Sequence, residues 1–185
     1  MRVRIVVAAR TAPNRDVRFG GERSGLDERG RRDAAALAVD LSADRPQGVA
    51  DRLIAGPEKS VRETADHVDR TGSRAAYEVV EQLASLDVGR WAGRTPAEVD
   101  PRELAAWFGD VDWRGHGGES VREFVRRIEV AVDALADAEP VDATLVLAGP
   151  VAQAVLCDDA VGFFACEVRP ASMHRIEVVR RTFRG

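Results

Sequence analysis

Few side chains in this chain are suited to nucleophilic, redox or metal chemistry. Its histidines are three, His67, His116 and His174. Its two cysteines, Cys157 and Cys166, cannot build a disulfide framework or a four-thiolate zinc site. Both are expected as buried or half-buried thiols in a reducing cytoplasm. Asp158-Asp159 beside Cys157 lacks ligand spacing, so no metal is expected, and no cofactor is implied. The more suggestive pattern lies in the backbone. Gly56-Pro57 and Gly149-Pro150 each follow a short apolar run and each opens a helical stretch. Small residues there let a ligand approach backbone N–H groups, a geometry that could hold an anion. The same dipeptide also shapes a tight strand-to-helix turn, and both readings stay open.

Composition narrows the class of protein. The 185 residues include 27 Lys+Arg and 31 Asp+Glu, a formal net charge of −4. Apolar residues make up 45% and charged residues 31%, the balance of a soluble globular domain able to offset its chain entropy. Lys59 is the one lysine, which reads as the codon bias of a GC-rich genome rather than as chemistry. With net negative charge and no basic block, nucleic acid is not an expected partner. Every apolar stretch falls short of the roughly 20 residues a membrane span needs, so no membrane association is expected. The apolar part of Met1–Val7 is too short for a secretory signal. A cytoplasmic location is therefore expected.

The elements that must position any site can be read from periodicity. Residues 2–9 form a β-branched run, a buried strand, followed by a Gly- and Arg-rich loop over 10–25. Asp27 caps a helix to about Leu41, with Ala34, Ala35, Leu37, Ala38 and Leu41 on one face. A strand at 52–55 leads into a helix opened by Gly56-Pro57, with Pro57 in its first turn, running to about Val68. Residues 76–80 read as a strand, and 81–118 as a Gly-, Trp- and Pro-containing insertion. The strongest helix runs from Ser120 to about Ala138, with Val121, Phe124, Val125, Ile128, Val132 and Leu135 at helical spacing. A strand at 144–148, a helix from Gly149-Pro150 and a strand at 175–180 complete the chain. Alternation of strands and helices predicts one α/β domain over 1–185, a three-layer sandwich with a mostly parallel sheet and helices on both faces. Ligands of such sheets sit at the carboxyl ends of the strands. Those ends are Ala8-Ala9-Arg10, Ala55-Gly56-Pro57 and Ala148-Gly149-Pro150.

Several segments, in order, resemble the histidine phosphatase superfamily, the phosphoglycerate-mutase-like phosphatases. Arg10-Thr11-Ala12-Pro13-Asn14, Arg18-Phe19-Gly20-Gly21 and Gly25-Leu26-Asp27-Glu28-Arg29-Gly30 are similar to the family's opening. Ala55-Gly56-Pro57 with Val61-Arg62-Glu63-Thr64-Ala65 resembles its second motif, and Gly89-Arg90-Trp91-Ala92-Gly93 its Gly-x-Trp-Glu-Gly segment. Gly117-Gly118-Glu119-Ser120 reproduces its Gly-Gly-Glu-Ser, and Leu147-Ala148-Gly149-Pro150-Val151 is similar to its Ala-His-Gly-Gly-Val. The likeness covers nearly the whole chain.

What the resemblance implies about chemistry is an absence. The family passes a phosphoryl group to a histidine flanked by two arginines, a second histidine and a glutamate proton donor. In this alignment the first arginine falls on Val7, the nucleophilic histidine on Ala8, the second arginine on Ser60, the acid on Ser85 and the second histidine on Ala148. The expected pocket is small, neutral and partly apolar. The leading expectation is a divergent member, a pseudophosphatase that binds a small molecule or a protein partner. The alternative is a repurposed enzyme that promotes an isomerisation, cyclisation or lyase-type step on a small metabolite. An ordinary phosphatase or mutase is the least favoured reading.

Other residues could serve such a pocket. Arg10 and Asn14 stand in the family's motif neighbourhood and could anchor an acidic group, or merely hold the 10–25 loop. His116 could reach the pocket mouth and His174 could line it. Glu81 and Asp87 flank the lost acid at Ser85 and could act as a general base if apolar surroundings raised their pKa. Trp107-Phe108 and Trp113 could roof the pocket or form an interface, whereas Trp91, Arg62 and His67 read as structural. A homodimer stays open.

Overall fold

The computed structural model describes residues 2–12, 17–21, 23–44, 52–69, 77–138 and 142–177. Five strands are arranged in the order β3-β2-β4-β1-β5. They are β1 (Arg2–Val7), β2 (Arg52–Ala55), β3 (Glu78–Val79), β4 (Ala143–Leu147) and β5 (Met173–Glu177). β1, β2, β3 and β4 run parallel, and β5 closes one edge antiparallel to β1. Parallel strands covered on both faces are read as continuous apolar runs. β1 and β4 behave so: all of β4 and all of β1 beyond Arg2 are buried.

Helices cover both faces, as the alternation predicts. α1 (Glu28–Asp44) and α2 (Lys59–Val68) place Leu37, Leu41, Val61 and Ala65 against Val6, Ala55 and Val146. On the opposite face, α4 (Val121–Ala138) and α5 (Gly149–Leu156) pack Phe124, Ile128, Val151 and Ala152 against Ile5, Val7, Leu145 and Leu147. The 81–118 segment carries the short α3 (Pro101–Gly109) and single 3-10 turns at Glu81–Leu83, Gly89–Trp91 and Pro96–Glu98. Among the described residues, no helix is long and apolar enough to cross a membrane.

Local details depart from the expectations in four places. Pro57 lies outside α2, because Glu58 is extended (φ −64°, ψ 146°) and the helix starts at Lys59. β3 is two residues long, both exposed; Ala76 lies outside the described residues, although Val80 N still donates to Ala55 O at 3.0 Å. β5 begins earlier than expected, at Met173, while residues 178–180 lie outside the described residues. On α1, Ala34, Leu37 and Leu41 are buried, but Ala35 is exposed, one helical step away from that stripe. The expected cap at Asp27 is in place, and Ser120 supplies a second one for α4. Asp27 Oδ1 accepts from Gly30 N at 2.7 Å. Ser120 and Glu123 satisfy each other's backbone N–H groups at the start of α4, at 3.2 and 2.9 Å.

Three contacts bring loops to the strand ends. Thr64 Oγ1, fully buried on α2, donates to Ser60 O at 2.8 Å and accepts from Ala9 N at 3.1 Å. Glu63 Oε2 accepts from Leu26 N at 2.6 Å. Arg127 on α4 makes the most extensive link. Its Nε and Nη2 donate to Glu119 Oε1 and Oε2 at 2.8 and 2.7 Å. Its Nη1 donates to Gln82 O and Ala84 O at 2.7 and 3.0 Å, and Nη2 reaches Ser85 O at 3.4 Å. A planar guanidinium can serve a carboxylate and several carbonyls together; an ammonium cannot. Replacing Arg127 by Met is expected to cost about 2 kcal/mol, or roughly 4–8 °C in Tm, and Arg127→Lys to recover less than half of that. Thermal denaturation followed by circular dichroism checks both, and equal stability of Lys and Arg variants would contradict the fork.

Candidate functional site

The carboxyl ends of β1, β2 and β4 open into a cavity of about 530 Å³. Backbone pairing sets this convergence: Ala8 N donates to Leu147 O at 2.8 Å, and Gly56 N to Val146 O at 3.1 Å, beyond the strands themselves. Val7, Ala8, Ser60, Ser85 and Ala148 all line this one cavity. Val7 and Ala8 come from the end of β1, Ser60 from the first turn of α2, Ser85 from the loop held by Arg127 and Ala148 from the position before α5. Phe19, Leu86, Leu104, Trp107, Phe108 and Phe164 form an apolar wall above them.

Two charged side chains line the cavity among the described residues, Arg18 and Glu58. Arg18 sits at the rim, half exposed; its Nη1 donates to Gly93 O at 2.9 Å and lies 3.8 Å from Glu98 Oε2. Glu58 is 5% exposed, and its Oε1 accepts from Ser85 N at 2.5 Å. Sequence reasoning passed over Glu58. It falls on a variable position of the second motif, and only its place between a strand end and a helix start pointed to it.

The remaining candidates are dispersed. Arg10 Nε pairs with Asp27 Oδ2 at 3.2 Å and thereby braces the cap of α1; it does not line the cavity. Asn14 lies outside the described residues. His174 pairs in register with Ile5, below the strand ends, and its Nε2 is 3.1 Å from Ser172 Oγ. The residues of that segment nearest the site are Pro170, which lines the cavity, and Ser172, whose carbonyl accepts from Val7 N at 2.9 Å. Glu81 and Asp87 are both exposed and line a separate, charged depression with Arg23, Lys59, Arg62 and Arg127. Glu58 and Ser85 border both cavities, so the loop carrying Ser85 turns its flanking carboxylates away from the apolar side.

His116 is the sharpest correction. It does not reach the cavity mouth; it is 1% exposed, edge-on to Trp91 and Trp113 at centroid distances of 5.0 and 5.2 Å. The reason is the turn that follows it. Gly117 adopts φ +84°, and Gly118 N donates to His116 Nδ1 at 3.0 Å, folding the ring inward. With Nδ1 accepting, the ring's proton belongs on Nε2, a buried atom with no hydrogen-bond partner. Trp91 is fully buried as expected, and Trp113 packs on it at 5.3 Å rather than roofing the cavity. Trp107 and Phe108 do line it. Cys157 and Cys166 are half-buried, and burial, with the nearby Cys166 second, pushes the Cys157 thiol up to about 11. Among the described residues, no group of His, Cys, Asp or Glu could hold a metal ion.

A three-layer α/β sandwich with its cavity at the strand ends is an architecture that many families share, so the family is decided by the sequence match. Residues 6–184 match the model of the histidine phosphatase superfamily (branch 1), and the chain belongs to that family. It is 32% identical over 120 residues to the glucosyl-3-phosphoglycerate phosphatase of Mycobacterium tuberculosis, covering 62% of this chain and 51% of that protein. To the enzyme of the same name from Mycolicibacterium vanbaalenii it is 32% identical over 139 residues, covering 71% and 56%. The chain thus spans about half the length of the curated relatives it matches. The structure of a mycobacterial glucosyl-3-phosphoglycerate phosphatase complexed with VO3 superposes with a TM-score of 0.81 at 25% identity, covering 95% of this chain and 92% of that one. The α-ribazole phosphatase of Shigella flexneri shares the fold, with a TM-score of 0.79 at 20% identity over 97% and 92% of the two chains.

Burial holds the His116 imidazole below its ordinary pKa, overriding the pull of Asp87 toward the charged form. A histidine depressed in the folded state binds its proton first in the unfolded chain. Stability from this group is therefore intact above its ordinary pKa and falls as the pH drops below it, by at most about 1.4 kcal/mol per pH unit. Thermal melts from pH 7.5 to 5.0 are expected to fall more steeply for the wild type than for His116→Gln, which keeps an acceptor for Gly118 N without titrating. Parallel slopes would show that His116 does not carry the effect.

Proposed function

We propose that this chain is a catalytically degenerate member of its family, a pseudophosphatase that binds a small molecule in the strand-end cavity and does not transfer phosphoryl groups. The observation that carries this reading is the lining itself. The five positions on which the family's nucleophile, two arginines, acid and second histidine fall present Val7, Ala8, Ser60, Ser85 and Ala148 to one cavity. Phosphoryl transfer to an enzyme needs a nucleophile and cationic donors aimed at the phosphate oxygens. Removal of a nucleophile alone costs on the order of a millionfold in rate. Serine at the second arginine position cannot replace a bidentate guanidinium. The lining cation among the described residues, Arg18, is at the rim and engaged with Gly93 and Glu98.

Because the relatives are glucosyl-3-phosphoglycerate phosphatases, the decisive assay uses that ester beside 3-phosphoglycerate and p-nitrophenyl phosphate. No orthophosphate release above a protein-free blank is expected at micromolar protein over hours. Release that persists through repurification and disappears in Ala148→Phe, which fills the cavity floor, would overturn the reading.

Glu58 favours a second reading, the repurposed enzyme. It is a buried carboxylate on the cavity, where a proton could be moved in an isomerisation, cyclisation or lyase-type step. Incubation with a metabolite extract, followed by mass spectrometry against heat-denatured protein, separates the two. A metabolite consumed by the wild type and spared by Glu58→Gln supports the enzyme; an unchanged extract supports the binder.

A further inference from the structure

We infer that the strand-end cavity takes a neutral, flat, ring-bearing molecule, and discriminates against phosphorylated forms of the same ring. This inference rests on the binding role proposed above and names the ligand class for that site. Volume gives the first argument. About 530 Å³ lies inside the roughly 300–1,000 Å³ range of organic-ligand pockets and far exceeds what an inorganic anion fills.

The second argument is the wall. Three Trp, one Tyr and six Phe are all the aromatic residues of the chain. Five of them, Phe19, Trp107, Phe108, Phe163 and Phe164, line this one cavity. They brace one another edge to face: Trp107 and Phe164 at 4.7 Å and 73°, Phe108 and Phe164 at 4.8 Å and 62°, Phe19 and Trp107 at 5.7 Å and 86°. A braced set of rings presents faces and edges at angles that a flat ring can match at little entropic cost. Phe108 is 54% exposed although it belongs to this cluster, so the wall stays accessible from solvent at that side chain.

Charge supplies the third argument. A phosphate dianion placed on the floor would be stripped of water against a mainly apolar lining, whose described cation, Arg18, sits at the rim and is engaged with Gly93 O and Glu98. A neutral ring does not meet this desolvation cost.

The test compares 1-naphthol with 1-naphthyl phosphate by isothermal titration calorimetry on the full chain. Saturable one-to-one binding of 1-naphthol is expected, at least tenfold tighter than that of 1-naphthyl phosphate. Ala148→Phe is expected to weaken it at least tenfold. Phe108→Ala, at an exposed position that threatens folding less, is expected to weaken it at least threefold. Equal or tighter binding of the phosphate, no saturable binding of 1-naphthol, or binding indifferent to both Ala148→Phe and Phe108→Ala overturns the inference. Orthophosphate assayed in the same vessels keeps the two readings apart. Hydrolysis of 1-naphthyl phosphate counts against the pseudophosphatase, whereas failure of 1-naphthol to bind without hydrolysis removes only the ligand class.

Discussion

The cavity depends on a wall that no sheet holds. Its floor comes from strand ends fixed by the β1, β2 and β4 ladders, but Ser85, Leu86 and Val88 lie in a loop with single 3-10 turns before and after it. The guanidinium of Arg127 supplies the missing frame. It joins α4 to three backbone carbonyls, at Gln82, Ala84 and Ser85, and binds the Glu119 carboxylate as well. Glu119 in turn is tied to the loop through its own N–H, which donates to Asp87 O at 2.9 Å. Here Gly118 leaves no room for a side chain, since a Cβ would overlap Asp87 O. The loop, the glycine turn and the start of α4 are therefore one unit. Ser85 can face the cavity only because that unit is closed.

The motif residues divide by what they touch. Those that match the family pattern hold the scaffold: Asp27 caps α1 and pairs with Arg10, Thr64 joins α2 to Ala9, Trp91 is fully buried, and Gly117-Gly118-Glu119-Ser120 builds the turn and the cap of α4. Those that depart from it, Val7, Ala8, Ser60, Ser85 and Ala148, face the cavity. Such a division has a physical basis. Scaffold residues satisfy buried backbone donors and fill the core, and losing one costs folding stability whatever the protein does. Residues on the lining are constrained by the ligand instead, so their exchange changes the chemistry and leaves the fold standing.

That division also explains what was legible in the sequence. β1 and β4 were readable because strands buried on both faces are mostly apolar, with Arg4 and Thr144 as buried polar exceptions, and α4 because Val121, Phe124, Val125 and Ile128 repeat at helical spacing. The five cavity positions were readable through spacing within motifs, since each motif is local and each lies at a strand end. The residues that act across the chain were not. Arg127 looks like any helix arginine until the 82–85 carbonyls come within reach from more than forty positions away. His116 reads as a loop histidine because nothing in its neighbours states that a left-handed Gly117 turns the ring beneath Trp91. Glu81 and Asp87 do not line the apolar cavity for a similar reason: proximity in sequence to Ser85 places them on the other side of the loop.

Burial of Glu58 adds a constraint that bears on evolution of the site. An anion site and a buried carboxylate are incompatible in the same small volume unless cations lie between them. With Ser60 and Val7 at the arginine positions, the floor retains no described cation to balance a phosphate, while the carboxylate accepts from Ser85 N. On the proposed reading, restoring one histidine at position 8 would not by itself restore phosphoryl transfer, because Val7 and Ser60 would still face the phosphate oxygens where the family pattern has arginines.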